Sequence, residues 1–144
     1  MTRLLVDTSV LIKWFHSDGD REVAEARAVL EAHVRGDLDA HILDLAIFEV
    51  GNVLMRGLRW APGDVADQLD DLLTIVGTPL VMDRAWLRDA ATLAGAHSLS
   101  FYDASWASAA AALGIPLISA DRKLLTAGLA LAPTDIAARL SLVQ

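Results

Sequence analysis

Near the N-terminus three consecutive apolar residues, Leu4, Leu5 and Val6, run straight into a carboxylate, Asp7, followed by two hydroxyls, Thr8 and Ser9. A strand with one wetted face alternates apolar and polar side chains. This run does not alternate, so it reads as a strand buried on both faces, the kind found inside a parallel sheet. Such a sheet needs helices on both sides and a crossover between successive strands. The same reading places Asp7, because ligands of open α/β sheets bind in the crevice beyond the carboxyl ends of the strands.

The rest of the chain supplies the crossovers. Residues 10–15 continue as an apolar helix, and 16–20 form a loop. Residues 22–35 put Val23, Ala26, Val29, Leu30 and Val34 on one helical face, ended by Gly36. A short strand is expected at 41–43, then a helix from Asp44, as its cap, to about Arg56. After the break at 61–64 a helix over 65–76 carries the stripe Val65, Leu69, Leu72, Leu73 and Val76. Strands at 79–82 and 115–119 flank helices from Asp83 to about Ala96 and from Asp103 to Leu113, the latter ended by Gly114. A short helix follows Asp121, and the tail from Pro133 is a helical turn or an edge segment. The expected fold is therefore α/β: one domain over 1–144, with a mostly parallel central sheet of about four to five strands flanked by helices.

Composition removes several chemistries. There is no cysteine among the 144 residues, which excludes disulfides, thiolate zinc sites and thiol catalysis and fits a cytoplasmic protein. No apolar run is long and unbroken enough for a membrane span or a secretory signal. A net charge of −7 argues against a protein that coats nucleic acid by neutralising phosphates, although a bound cation would invert the electrostatics of an acidic pocket. The four histidines, His16, His33, His41 and His97, have no ligand-like spacing, and neither a Gly-x-Ser-x-Gly elbow nor a glycine-rich phosphate loop occurs. Hydrophobic residues make up 54% of the chain, which suits either an alanine-rich core or a buried partner interface.

Most acids at helix starts are caps, and Asp44 and Asp83 fit that role. Asp18, Asp20, Asp37, Asp39, Asp64, Asp67, Asp70, Asp71 and Asp89 read as solvated charges. Four acids remain. Asp7 is backed by Thr8 and Ser9. Glu49 is an isolated charge in an apolar helix, with Asn52 three residues on to orient it. Asp103 lies between aromatics at the mouth of an almost chargeless helix, and Asp121 repeats the strand-then-acid arrangement of Asp7. Taken singly, Asp103 also fits a capping box with Ser100, and Asp121 an N-cap. Taken together, four carboxylates in one crevice need a compensating cation, and an all-oxygen site favours Mg²⁺ or Mn²⁺ and the phosphoryl chemistry such ions serve.

In order along the chain, 5–10, Phe48-Glu49-Val50 with Asn52 and Leu54, 102–105 and 119–124 resemble the PIN domain, and within it the VapC-type toxins of toxin–antitoxin pairs. The resemblance runs from Leu4 to about Leu125. It implies a Mg²⁺- or Mn²⁺-dependent endoribonuclease with Asp7, Glu49, Asp103 and Asp121 as catalytic and metal-binding acids, supported by Ser9 and Ser119. It also implies a homodimer silenced by a cognate antitoxin. Lys13, Arg56, Arg59, Arg122 and Lys123 lie just after motif residues and are candidates to meet RNA phosphates. Trp106 reads as core, while Trp14 and Trp60 suit either core packing or base stacking. Two other classes fit parts of the pattern. A Mg²⁺-dependent phosphatase or phosphotransferase would use Asp7 as nucleophile, but such sites want a second acid where Ser9 stands. A non-catalytic receiver-like signalling module would want a lysine at the end of the fourth strand, where Ser119-Ala120-Asp121 stands instead.

Overall fold

The computed structural model describes residues 1–17 and 21–142. Strand β1 (Thr2–Val6) lies at the centre of a parallel sheet of order β2-β1-β3, between β2 (Leu38–His41) and β3 (Leu117–Ile118). Leu4, Leu5 and Val6 are fully buried, as their lack of alternation requires. Single parallel bridges extend the sheet on both sides, Leu43 to Leu80 and Ile118 to Leu131. The four to five expected strands thus become three, plus a bridge at each edge. At 79–82 only Leu80 pairs, its N–H donating to Ile42 O and its carbonyl accepting from Asp44 N–H. β2 begins three residues before the apolar run at 41–43. Its Leu38-Asp39-Ala40 segment alternates buried and exposed, the mark of a strand with one wet face.

Helices α1 (Thr8–Phe15), α2 (Val23–Arg35), α3 (Leu45–Asn52), α4 (Pro62–Val76), α5 (Arg84–His97), α6 (Phe101–Leu113), α7 (Arg122–Thr126) and α8 (Pro133–Arg139) make the crossovers and cover the sheet. Their ends follow local chemistry. Asp83 Oδ1 accepts from Trp86 N–H, Ser100 Oγ accepts from Asp103 N–H, and Gly36 and Gly114 terminate α2 and α6 in the left-handed conformation that glycine adopts without strain. Two helices begin earlier than expected: α4 at Pro62, whose fixed φ suits the first helical position, and α6 at Phe101, because Ser100 is its cap. Asp44 precedes α3 but makes no side-chain cap; its backbone is already helical. In the stripe of α4, Val65 and Leu72 are buried while Leu73 is exposed. The tail from Pro133 resolves as α8, pinned to α2 by Glu22, whose Oε2 accepts from the N–H and hydroxyl of Thr134. Asp18 and Asp20, expected in a loop, lie outside the described residues.

Two irregular contacts shape the surroundings of the sheet's carboxyl edge. The helix carrying Glu49 does not end at Asn52 but widens into a π turn over Val53–Gly57, closed by Leu58 N–H to Val53 O at 2.9 Å. On the far side His33 ties three elements together: its Nδ1 accepts from Ala40 N–H of β2, so Nε2 carries the proton that it donates to Ile75 O of α4. No described helix is long and apolar enough to cross a membrane.

Candidate active site

The central strand delivers Asp7 to the carboxyl edge of the sheet, where its N–H still donates to Ile118 O of the neighbouring strand. The side chain turns back to cap α1, accepting from the N–H and the hydroxyl of Ser9. Only 4% of Asp7 is exposed, and burial pushes its pKa from the ordinary 3.8 to about 6. The hydroxyls of Ser119 and Ser9 and the Ser9 amide act against burial, while the charge of Asp103 adds to it. Ser9 joins the two strand ends. Its Oγ also accepts from Ala120 N–H at 2.8 Å and lies 3.4 Å from Ser119 Oγ.

Glu49 enters from α3. Its Oε1 accepts from Thr8 Oγ1 at 2.8 Å and from the indole N–H of Trp106 at 3.3 Å. Asp103 stands in the first turn of α6, partly buried, with its pKa raised by burial and then by the nearby charge of Asp121; Ser100 and the Lys123 ammonium pull the other way. Asp121 caps α7, accepting from Leu124 N–H at 3.0 Å, and its own N–H donates to the buried Ser119 hydroxyl. One cleft of about 240 Å³ is lined by Asp7, Thr8, Ser9, Ile12, Glu49, Val53, Asp103 and Trp106. Asp121 lies outside that lining, linked to it through its charge on Asp103.

Several expected contacts are not made. Asn52 is exposed and forms no hydrogen bond with Glu49; Thr8 and Trp106 orient that carboxylate instead. Lys13 is 8% exposed and its ammonium donates to Arg21 O at 2.7 Å, a structural contact between α1 and the approach to α2 that leaves it unable to meet phosphate. Trp14 is core, donating to Ala26 O, and Trp60 packs partly buried against the core beside Asp64, Asp67 and Asp71. Arg56 and Arg59, together with Met55, line a separate small cleft at the π turn. Arg122 and Lys123 are exposed, and of the basic candidates Lys123 is the one whose charge is felt by a site acid. The polar role of Trp106 is invisible in the sequence because its bulk and apolar neighbours mark it as core, which it also is at 1% exposed; an indole N–H facing an acid 57 residues away leaves no local signal.

Chemically, the cleft offers carboxylate and hydroxyl oxygens, and no described site acid is engaged in a salt bridge. Among the described residues no three of His, Asp or Glu stand close enough together to form a ready-made ligand cage. The donor set suits a hard divalent cation that keeps most of its water and takes one or two carboxylates.

The PIN domain family profile matches residues 4–128. Ribonuclease VapC3 of Pyrobaculum aerophilum is 32% identical over 126 residues, which span 85% of this chain and 92% of that protein. The crystal structure of PAE2754 from Pyrobaculum aerophilum is similar throughout, with a TM-score of 0.68, 28% identity and 97% of both chains covered. A toxin–antitoxin complex from Klebsiella pneumoniae shares the fold at a TM-score of 0.66 and 19% identity, over 90% of this chain and 97% of that one. An α/β sheet of this topology, acids at the ends of its strands and these likenesses agree: the chain belongs to the PIN domain family and groups within it with the VapC proteins.

Proposed function

We propose that the chain is a metal-dependent endoribonuclease and the toxin of a type II toxin–antitoxin pair. The observation that carries this reading is the cleft at the end of β1, where Asp7, Glu49 and Asp103 gather with two hydroxyls and no partner cation, in a chain related to a protein named a ribonuclease. Asp7 and Glu49 would hold Mg²⁺ or Mn²⁺, and Asp103 and Asp121 would complete the acidic group. When bound, the cation offsets the charge of the scissile phosphate and makes a water acidic enough to serve as nucleophile at neutral pH. Asp7 is held in one orientation by the N–H and hydroxyl of Ser9. Thr8 and Ser119 keep Glu49 and the 119–121 turn in place, and Asp103 with Asp121 would repel unneutralised phosphate until the cation is present. Lys123 and Arg122 steer the RNA backbone towards them.

The exposed Phe48 and Tyr102, 74% and 61% accessible, sit next in sequence to Glu49 and Asp103 and support burial of this rim in a homodimer or under an antitoxin. Cysteine-free composition supports a cytoplasmic setting. The test is cleavage of total RNA by the purified protein with Mg²⁺ or Mn²⁺, with and without chelator. Cuts that disappear on chelation and in Asp7→Asn are expected. Cleavage that survives both would overturn the proposal.

A further inference from the structure

One arrangement in the cleft is built not from an acid's own element but across three of them. Glu49 comes from α3, Thr8 from α1 and Trp106 from α6, and both donors address the same oxygen, Oε1. The two bonds hold the carboxylate through Oε1 and leave Oε2 without a hydrogen-bond partner among the described residues. Trp106 is suited to this because it cannot adapt: at 1% exposed, within the hydrophobic core, its ring has one place to be and one N–H to give. A hydroxyl donor can rotate away from an acceptor, whereas a buried indole cannot.

We infer that Trp106 is a positioning residue for the candidate metal site: its indole N–H holds Glu49 Oε1 so that Oε2 faces the cleft, ready to take a divalent cation. The inference rests on the reading of the cleft as a cation site and adds a residue to it. Partners that orient a ligating side chain affect cation affinity by about 10- to 100-fold. The molecule contains its own control. Trp14 is also buried and also donates its indole N–H, but to a backbone carbonyl, Ala26 O at 3.0 Å, away from the acids.

Mn²⁺ titration calorimetry, paired with thermal unfolding in the absence of metal, on the wild type, Trp106→Phe and Trp14→Phe tests it. Both variants should lose comparable thermal stability, since each loses an indole N–H and part of a ring, but only Trp106→Phe should bind Mn²⁺ about tenfold more weakly. Equal weakening in the two variants, or unchanged affinity in Trp106→Phe, overturns the inference while leaving the cation site standing. A wild type that binds no Mn²⁺ overturns both. Should Trp106→Phe fail to fold, the wild-type indole N–H resonances decide: Mg²⁺ should shift the Trp106 signal and not that of Trp14, and a motionless Trp106 signal refutes the role.

Discussion

The chain makes a similar move twice, at the end of β1 and after β3: a parallel strand stops, an aspartate follows either at once or after two residues, and the aspartate caps the next helix through a backbone N–H. The two sites differ in what surrounds them. Asp7 terminates the central strand, with a partner on each side, and is 4% exposed; Asp121 stands three residues beyond a two-residue strand near the edge and is only partly buried. Similar local grammar therefore yields two electrostatic situations. At Asp7 the water is gone and ionisation is opposed until about pH 6, whereas at Asp121 the cap and the Ser119 hydroxyl sit in partial contact with solvent. Sheet position, more than the residue or its motif, decides which aspartate is cut off from water.

Substitutions can break this comparison. Asp7→Asn should reduce metal-dependent RNA cleavage on the order of a thousandfold while leaving the fold intact by circular dichroism. Asp121→Asn should cost about 10- to 100-fold, because it acts on the site through Asp103. Equal losses in a cleavage assay would erase the distinction between the two strand ends.

Stability should sharpen it. An acid whose folded pKa lies above its ordinary value binds a proton more tightly when folded, so its contribution is most favourable below about pH 4 and is lost as pH rises towards 6. For Asp7 the gap of roughly two pKa units corresponds to about 3 kcal/mol. Without added divalent cation, urea unfolding should show the wild type losing stability between pH 4 and 7, and Asp7→Asn should be less pH-sensitive and more stable at pH 7.5. Mg²⁺ at a hundred times its dissociation constant should return about 2.7 kcal/mol to the wild type and little to Asp7→Asn. The smallest effect belongs to the capping function of Asp121: replacing it with alanine should cost about 1 kcal/mol, and with asparagine almost nothing, since asparagine caps as well as aspartate.

How much of the structure is legible in the sequence depends on the range of each interaction. The unalternating run Leu4 to Val6, the caps Asp83 and Ser100 and the glycine stops at 36 and 114 are local, and they stand where the residues put them. The assembly of Asp7, Glu49 and Asp103 around one cleft is legible too, because each acid is anomalous in its own surroundings. Contacts between distant elements are not. Lys13 reads as a free cation in the sequence, yet Arg21 O captures it, and Asn52, on the same helix as Glu49, is the near partner where the true ones come from α1 and α6. The sheet is narrower than expected for a related reason: an apolar run at 79–82 states that residues are sheltered, not that a ladder runs along it.

The π turn at Val53–Gly57 has a consequence for how such a chain tolerates length changes. A π turn holds one more residue than the α-helical turn it replaces. Removing a single residue there would restore a regular helix and leave the segment beyond it in the same rotational phase relative to Glu49, because the wider turn already absorbs the extra residue. Glu49, upstream, would keep its clamp. The turn thus works as a slack link: the chain can lose one residue at this point without re-aiming either the segment that follows or the carboxylate that the cleft depends on.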